Sequence, residues 1–498
     1  MREVTVLIIG SGFGGQAAAL ALRRVGIEDV ALLERAAFAG GTWLQNTYPG
    51  AAVDVPSPLY RHADHPWDWT ELYAKQPELA AYTRAVLDDT GLRERVHLNT
   101  NVGALRWNED AGVWDVATDQ GPWRARFVIH AAGPLSAPFI PDVPGAATFQ
   151  GPVVHTNAWP DDLDLRGKRV AIVGSGASAS QVIPAVAPEV AHLHVFQRTP
   201  HWVMPRPDHT FTPRQRALLR LAWAQRALRA AIYAALELRV IAFRHAPWLL
   251  EWRGRRRALR HLRRQVRDPA LRARLTPDYQ LGCKRVVLSN TLYPALQRDN
   301  VTLHDRDDAV ASMTPHGLVT TTGATIDVDV LIWATGFSVH DRPDTPEVVG
   351  RQGSTLEQAF SPFPRAYLGT TVPRMPNLFL MMGPNTGIGH TSALFVMESQ
   401  LLYVVRAIRT VLGIPTGRIE PTAEAEERYT AWVHRAMRGS VWTDGGCESW
   451  YKHPSGKVIA IFPGFSFVYR ALAAWFRRRD HRVGASASDP VEPTSTPR

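Results

Sequence analysis

The chain is poor in the residues from which disulfide frameworks and metal sites are built. It has 498 residues but only two cysteines, Cys283 and Cys447, which lie far apart and outside any C-x-x-C pattern. This spacing argues against a disulfide scaffold, a structural zinc site and a dithiol redox pair. No cluster of His, Cys and Asp has the spacing of metal ligands, so we expect no metal.

Long hydrophobic runs are also missing. The first apolar stretch, Val4 to Ile9, leads directly into glycines rather than to a small-residue cleavage site, and it is too short to cross a bilayer. We therefore interpret it as a buried strand and expect a cytoplasmic protein. With 45% hydrophobic and 20% charged residues, the chain has the composition of a globular protein of two or three domains.

Positive charge is concentrated in one segment. The net charge is +10, but residues 205–280 contain 18 Arg against 5 acidic residues, which leaves about −3 for the rest. Such a segment is either a solvated helical face or a surface for an anionic partner. Its apolar residues recur at helical spacing and predict two to four helices between Phe211 and Arg274: Leu218, Leu219, Trp223, Leu228, Ile232 and Leu236.

A first glycine loop follows the strand at the start of the chain. Gly10, Gly12 and Gly15 fit G-x-G-x-x-G between this strand and an Ala/Leu-rich helical stretch. Glycines at these positions allow a tight turn, a close approach of the backbone to a pyrophosphate, and helix–strand packing. Glu34 ends the next strand, Val30 to Leu33, where a carboxylate accepts hydrogen bonds from ribose hydroxyls and repels a 2′-phosphate. The loop predicts an FAD or NAD site.

A second loop repeats this pattern. Gly174, Gly176 and Ala179 fit G-x-G-x-x-A after the strand Arg169 to Val173. At the 24-residue offset that separates Glu34 from Gly10, the second loop has Arg198, followed by Thr199. An arginine pairs with a 2′-phosphate, and the threonine adds a hydroxyl donor. This site therefore favours NADPH, and the two sites together indicate electron transfer from NADPH to bound FAD.

A third apolar strand, within Val328 to Gly336, enters Ala334-Thr335-Gly336. Residues 439–467 are rich in Trp, Gly and other aromatics, and we expect an ordered loop region that covers a ligand.

Residues between the two loops carry the most specific pattern. Phe149, Gly151, His155, Trp159 and Pro160 stand in the order F-x-G-x-x-x-H-x-x-x-W-P. This resembles the fingerprint of the Baeyer–Villiger monooxygenases. The related flavin-containing monooxygenases carry a fingerprint that ends in an aromatic followed by a basic residue, so Trp159-Pro160 favours the Baeyer–Villiger branch. Other stretches resemble family motifs in the family's order: Gly40-Gly41-Thr42-Trp43, Tyr48-Pro49-Gly50, Asp54, Lys284-Arg285, Ala334-Thr335-Gly336 and Ser449-Trp450-Tyr451.

The fold that this resemblance implies is α/β, with two Rossmann-like dinucleotide-binding domains, for FAD and NADPH, and a helical insert. The expected boundaries are 1–145 and 329–483 for the FAD domain, 146–205 and 281–328 for the NADPH domain, 206–280 for the insert, and 484–498 for a disordered tail.

The resemblance also implies a reaction. NADPH reduces FAD, O2 adds to the reduced flavin as a C4a-peroxide, and the peroxide attacks a ketone to give an ester or lactone while NADP+ stays bound. Arg285 matches the family's active-site arginine, and Asp54 matches the acid that orients it. Lys284 is expected to join Arg198 and Thr199 at the 2′-phosphate.

Further residues take their expected roles from the same resemblance. Thr42, Trp43 and Tyr48 are expected beside the flavin, and Trp450 near NADP+ and the substrate entrance. His155 resembles a residue that couples the domains, not a proton shuttle, and His390 is expected to be structural. Val53 departs from the family, many of whose members have a cysteine there, which we expect to change packing and not chemistry.

The implied partners are a small ketone and O2, without nucleic acid. The basic insert either lines a substrate tunnel or makes peripheral contact with a membrane that carries apolar substrate. Three alternatives stay open. A flavin-containing monooxygenase would oxidise nitrogen or sulfur centres. A disulfide reductase shares the two-dinucleotide plan but needs a redox cysteine pair. A non-catalytic NADPH sensor could use the basic helices to contact nucleic acid.

Overall fold

The computed structural model describes residues 1–339 and 345–485. Its strands, in chain order, are β1 (Arg2–Ile9), β2 (Val30–Leu33), β3 (Val96–His97), β4 (Val102–Asn108), β5 (Val113–Thr118), β6 (Trp123–His130), β7 (Val153–His155), β8 (Arg169–Val173), β9 (His192–Phe196), β10 (Val203–Met204), β11 (Val287–Leu288), β12 (Val301–His304), β13 (Val310–Thr314), β14 (Gly317–Thr320), β15 (Thr325–Asp327), β16 (Val330–Trp333), β17 (Glu347–Val349), β18 (Leu378–Leu380), β19 (Gly417–Pro421) and β20 (His481–Ala485).

Its α-helices are α1 (Phe13–Arg23), α2 (Thr42–Gln45), α3 (Gln76–Asp89), α4 (Ala177–Val186), α5 (Pro213–Leu219), α6 (Ala222–Glu237), α7 (Pro247–Leu249), α8 (Arg256–Gln265), α9 (Pro269–Arg274), α10 (Leu292–Ala295), α11 (Leu356–Ala359), α12 (Ala393–Val411), α13 (Ala423–Met437), α14 (Val441–Asp444) and α15 (Ser466–Ala474).

The first sheet holds the amino-terminal glycine loop. Its strand order is β17-β4-β5-β6-β1-β2-β3, and β18 pairs in parallel with the second half of β6. Strands β6, β1, β2 and β3 are parallel, so the loop after β1 opens at the carboxyl edge of the sheet, where α/β folds bind their ligands. Helices α1 and α12 pack on one face of this sheet, around the buried side chains of Leu22, Val404 and Ile408.

The second sheet is wholly parallel, in the order β12-β9-β8-β16-β7. Helix α4 packs on β8, and α10 packs on α4, around Val182, Ile183 and Ile172. The parallel strands β6-β1-β2-β3 of the first sheet and the wholly parallel second sheet confirm the predicted α/β fold class. Strand β16 pairs with β7 and β8, so the boundary placed at residue 329 is wrong for Val330–Trp333. An apolar strand does not reveal from its sequence which of two parallel sheets it joins.

The helical insert begins with α5, whose amino terminus is a capping box made by Thr212 and Gln215. Helices α6 to α9 follow, with a π-helical turn at Ile241–His245 and another at Leu250–Arg255. On α6, Leu236 is buried and Leu228 and Ile232 pack against the core of the first domain. No helix in the described part of the chain is both long and apolar enough to span a membrane.

The carboxyl terminus differs from the predicted tail at its first two residues. Gly484 and Ala485 belong to β20, which pairs with β19 in antiparallel fashion. The remainder of that predicted tail, residues 486–498, lies outside the described residues.

Candidate active site

The two glycine loops have the same local structure. Gly10 and Gly174 adopt φ of +98° and +135°, which side-chain-bearing residues rarely adopt. A Cβ on Gly10 would lie 2.7 Å from the carbonyl oxygen of Ala131, and one on Gly174 would lie 2.3 Å from that of Ala334. Each loop leads into a helix whose N-cap is the second glycine of the motif, Gly12 for α1 and Gly176 for α4. Both helix amino termini therefore present unpaired N–H groups to a phosphate.

The acid that follows β2 is hydrogen-bonded to the first loop. Glu34 is 9% exposed, and its Oε2 accepts hydrogen bonds from the backbone N–H of Ser11 (3.0 Å) and from Ser11 Oγ (2.7 Å). Its Oε1 accepts one from the N–H of Ala36 at 3.0 Å. A carboxylate has about four lone-pair sites, and these three hydrogen bonds leave one of them, on Oε1, to accept from a ribose hydroxyl. Of the other loop residues, Gly15 is buried within α1.

Two cations meet beside the second loop. Arg198 is exposed and, among the described residues, forms no salt bridge. Lys284 lies near it: desolvation and then the charge of Arg198 lower the pKa of Lys284. Ser175 Oγ donates to the carbonyl of Thr199 at 2.7 Å, which fixes the arginine segment to the loop. Two adjacent cations without a bidentate acidic partner suit a dianionic phosphate. Ala179, in the first turn of α4, is fully buried.

Asp54 and Arg285 form a bidentate ion pair. Arg285 Nε donates to Asp54 Oδ2, and Arg285 Nη2 donates to Asp54 Oδ1, each at 2.5 Å. The arginine side chain is 43% accessible and the aspartate 28%, yet protein surrounds both, so this surface faces the inside of a cleft. Burial works against ionisation of Asp54, but Arg285 outweighs it and lowers the carboxyl pKa. Asp54 in turn raises the pKa of Arg285, which keeps the guanidinium charged.

Aromatic side chains connect this pair to the first loop. Phe13, the first residue of α1, lies with its ring 5.6 Å from that of Tyr60. Tyr60 accepts a hydrogen bond from Trp43 Nε1 at 3.3 Å, and desolvation raises its pKa to about 12. Trp43 is 9% exposed, on the short helix that begins at the exposed Thr42. Asp54 and Arg285 both act electrostatically on Tyr60, so the ion pair lies next to the first loop.

Tyr451 touches the other side of the pair. It is 2% exposed, and burial raises its pKa while Arg285 opposes that rise. Its neighbour Trp450 is 38% exposed, with ring centroids 4.5 Å apart. Sequence reasoning singled out Trp450 but missed Tyr451 and Tyr60 as neighbours of the ion pair. Tyr451 had a signal, since it ends the Ser-Trp-Tyr motif, whereas Tyr60 belongs to no motif.

Tyr48 lies between the two loops. Its hydroxyl donates to Oε1 of Gln181, on α4, at 2.9 Å, and Gln181 Nε2 donates to the carbonyl of Ala52 at 2.9 Å. Asp54 also acts on Tyr48 electrostatically. The segment from Tyr48 to Asp54 therefore holds the second domain's loop helix against the ion pair.

The fingerprint lies at the junction of the two domains. His155 Nδ1 accepts from the N–H of Asn157 at 3.0 Å, which leaves Nε2 as the donor to the carbonyl of Gly336 at 3.1 Å. Both ring nitrogens bond to backbone, and burial lowers the imidazole pKa, so His155 has the bonding of a structural link. Across the junction, Gln45 donates to the carbonyl of Asn157 at 2.7 Å and Thr47 to that of Trp159 at 3.4 Å.

The remaining fingerprint residues pack within the second domain. A Cβ on Gly151 would lie 2.3 Å from the Asp329 carbonyl and 2.8 Å from the Phe149 ring. Phe149 packs against the core around Leu318, and Pro160 is exposed.

The two cysteines form a disulfide, contrary to our expectation. Cys283 and Cys447 are bonded, with their Cα atoms 6.1 Å apart. The expectation was wrong because it relied on the separation of the two cysteines in the sequence, which is 164 residues. A disulfide depends instead on their distance in space, and both segments reach the same cleft. The N–H of Gln280 donates to the carbonyl of Gly445 at 2.9 Å, which brings the two segments together beside Lys284 and Arg285.

A buried contact between Glu237 and His390 joins the insert to the first domain. Glu237, on α6, lies with Oε2 3.4 Å from Nε2 of His390, whose side chain is fully buried. Ser466 Oγ donates to the same carboxylate at 2.8 Å. The sequence offered no sign that Glu237 would lie next to His390. Among the described residues, no group of three or more His, Cys, Asp or Glu side chains is arranged to hold a metal ion.

Comparison with known families fits this arrangement of two dinucleotide loops. Residues 7–243 match the pyridine nucleotide-disulphide oxidoreductase family. A Baeyer–Villiger monooxygenase of Pseudomonas aeruginosa is 40% identical over 95% of this chain and 90% of its own. One of Streptomyces coelicolor is 41% identical over 99% of this chain and 93% of its own.

Solved structures agree with the sequence relatives. A steroid monooxygenase bound to NADP has 31% identity and a TM-score of 0.86, over 97% of this chain and 99% of that one. A monooxygenase termed OTEMO, in complex with FAD and NADP, has 26% identity and a TM-score of 0.87 over the same shares. The chain belongs to the family of Baeyer–Villiger monooxygenases.

Proposed function

We propose that this protein is an FAD-dependent, NADPH-consuming monooxygenase that inserts one oxygen atom of O2 beside the carbonyl of a ketone, giving an ester or lactone. The observation that carries the proposal is the Asp54–Arg285 pair. In this pair, two hydrogen bonds to Asp54 hold the permanently charged guanidinium of Arg285. The guanidinium is accessible inside a cleft that lies between the two dinucleotide loops. Baeyer–Villiger chemistry needs a fixed positive charge where negative charge develops.

The first loop fits FAD. The cofactor's pyrophosphate would meet the amino terminus of α1, and a ribose hydroxyl would meet the remaining lone pair on Oε1 of Glu34. The aromatic group of Trp43 and Tyr60, with Tyr48, is large and apolar enough to pack on a flavin ring. When bound, FAD would supply the electron transfer and oxygen chemistry that amino-acid side chains lack.

The second loop fits NADPH and selects it over NADH. Arg198, Thr199 and Lys284 would hold the 2′-phosphate, since the two cations lie together and neither is neutralised by a bidentate acid. An acid at the position of Arg198, such as Glu34 in the first loop, would repel that phosphate.

The chain's own residues would act through charge, placement and exclusion of water. Arg285 would stabilise negative charge without giving up its proton, because Asp54 raises its pKa further. Asp54 would hold the guanidinium plane through two hydrogen bonds. Tyr451 and Trp450 would close the cleft on the side of the disulfide, which keeps water from the reacting atoms.

A product assay tests the proposal. The purified holoenzyme, given NADPH, air and a panel of linear, cyclic and fused-ring ketones, should form esters or lactones in proportion to the NADPH consumed. A thioether and a tertiary amine in the same assay separate the alternative, because a flavin-containing monooxygenase would give S- or N-oxides and leave the ketones unchanged.

We also propose that the basic insert lets the protein contact anionic membrane surfaces. The exposed face of α6 is almost entirely apolar, running from Trp223 (65% exposed) to Leu238 (63% exposed) through alanines at helical spacing: Ala227, Ala231 and Ala234. Trp248 and Trp252, later in the insert, are also exposed, and Arg256 lies over the ring of Trp252 at 5.5 Å. Exposed tryptophans beside an arginine-rich helix suit the boundary between headgroups and acyl chains.

Vesicle flotation tests this contact. Binding to vesicles that contain phosphatidylglycerol, weakened by salt and absent with phosphatidylcholine alone, is expected. The double change Trp223→Ala, Trp248→Ala should reduce binding, whereas Trp475→Ala, at another exposed tryptophan, should not. The contact would be refuted if all variants float equally with the vesicles, or if the wild-type protein does not float with them at all. We also propose that the protein is located in the cytoplasm, where NADPH is supplied. Cell fractionation tests this location.

A further inference from the structure

The disulfide joins the two segments that carry the cleft's functional side chains. Cys283 immediately precedes Lys284 and Arg285 in the chain. Cys447 stands three residues before Trp450. The cross-link therefore connects the segment of the cofactor lysine and active-site arginine to the segment of the tryptophan and tyrosine that close the cleft.

The second segment meets the first at both of its ends, and the buried Tyr451 at the far end packs in the same core as Cys283. After α14 ends at Asp444, residues 445–451 form no helix or strand. The hydrogen bond from Gln280 to Gly445 holds one end, and Lys452 Nζ, which donates to the carbonyl of Thr443 at 2.9 Å, closes the segment on itself. Close packing supports the bond: a Cβ on Gly445 would lie 2.8 Å from Cys283 Cβ. The disulfide is thus the covalent attachment of an irregular, partly exposed segment.

We propose that the Cys283–Cys447 disulfide is a positioning cross-link for the oxygenation reaction, which holds the Trp450–Tyr451 segment over the bound nicotinamide cofactor. This inference rests on the proposed NADPH-binding function. With the bond intact, the segment is ordered before the cofactor binds, so binding does not have to order it. With the bond broken, NADP+ leaves more readily, water enters the cleft, and reducing equivalents are lost as hydrogen peroxide.

The same bond makes the positioning sensitive to thiols. Cys283 is 1% exposed, whereas Cys447 is half-buried, so an attacking thiolate reaches the sulfur of Cys447. A small dithiol would break the S–S bond in two exchange steps and close to its own cyclic disulfide. Its two electrons and two protons pass to Cys283 and Cys447, which become thiols. Disulfides of cytosolic proteins are usually transient or redox-sensing, and this one lies where reduction changes cofactor retention.

The test begins with thiols and needs no turnover. Protein isolated without reductant and then denatured should give no titratable thiol, and dithiol-treated protein should give two. Trypsin should cleave after Lys452 faster in the reduced form than in the oxidised form, because the segment is released. The NADP+ dissociation constant, measured by equilibrium dialysis, should rise about tenfold on reduction, the scale expected when binding must also order one or two side chains of the segment.

Variants separate the bond from side effects of the dithiol. Cys447→Ala should match the reduced wild type in trypsin cleavage and NADP+ affinity, and should not respond to dithiol. Cys283→Ser, which removes the buried partner instead, should behave in the same way. Ser455→Ala, in the neighbouring turn, should keep wild-type affinity and dithiol sensitivity.

Two results would overturn the proposal: two free thiols before any reductant is added, or equal trypsin cleavage and NADP+ affinity in the oxidised, reduced and Cys447→Ala forms. Failure of the proposed function is a different outcome. A wild type that makes no ester from any ketone would refute oxygenation, while the thiol, trypsin and NADP+ measurements would still decide the role of the disulfide.

Discussion

Removing the Arg285 guanidinium tests the role of the central ion pair. Arg285→Ala deletes two hydrogen bonds to Asp54 and the positive charge of the pair. Loss of one preorganised donor to a developing negative charge typically costs about 100- to 1000-fold in rate, or roughly 3–4 kcal/mol. We expect oxygenation to fall within that range while NADPH binding is largely kept, because Lys284 and Arg198 remain.

The same change has a smaller effect on stability. Breaking a fully buried ion pair costs roughly 3–5 kcal/mol, and breaking an exposed pair costs about 0.2–1 kcal/mol. Since Arg285 is 43% and Asp54 28% accessible, we expect the free energy of unfolding to fall by about 1–2 kcal/mol. Arg285→Lys keeps the positive charge but cannot form the two parallel hydrogen bonds to Asp54. Its oxygenation rate should therefore lie between those of the wild type and the alanine variant.

The assay compares ester formation with NADPH consumption at saturating ketone, alongside urea denaturation. The control is Arg166→Ala, which breaks another bidentate pair, with Asp164, where both side chains are more than half exposed. It should leave the rate unchanged. An Arg285→Ala enzyme that forms ester within about threefold of wild type would refute the assignment of Arg285 to charge stabilisation.

Three other predictions follow from the cofactor loops and the buried imidazoles. The double change Arg198→Ala, Lys284→Met should raise KM for NADPH by about tenfold or more, since each hydrogen bond to a charged group contributes roughly 1.5–3 kcal/mol. KM for NADH should stay unchanged. An equal rise in KM for both cofactors would contradict the 2′-phosphate site. Gly174→Val should abolish NADPH binding, measured by flavin reduction, yet keep the flavin absorbance. Burial lowers the pKa of His194 and of His201 to about 4. As the pH drops from about 6.5 toward 4, the unfolded chain therefore binds protons at these residues before the folded protein does, and the free energy of unfolding should fall. Equal urea midpoints at the two ends of this pH range would contradict the prediction.

Local pattern was enough to predict the two loops. The alternation of apolar strand, glycine turn and helix repeats at Gly10 and Gly174, and an equal offset leads to Glu34 and Arg198. These features depend on neighbours in the chain, and the structure has both strands where the sequence placed them, at Val30–Leu33 and Arg169–Val173.

Features that depend on distant segments could not be predicted in this way. The pairing of Cys283 with Cys447 and of Glu237 with His390 arises only when separate parts of the chain meet. Helical spacing in the insert correctly indicated helices, but it could not tell that Trp223 would face outward while Leu236 is buried. Which face of a helix is covered depends on its tertiary neighbours and not on its own period.

The most direct test of the central claim follows the oxygen atom. The holoenzyme would be supplied with NADPH, a ketone and 18O2, and the product analysed by mass spectrometry. The account predicts an ester or lactone that carries one 18O atom at the newly inserted position, formed in step with NADPH consumption. Unchanged ketone with hydrogen peroxide as the main product, or label found only in the S-oxide of an added thioether, would contradict it.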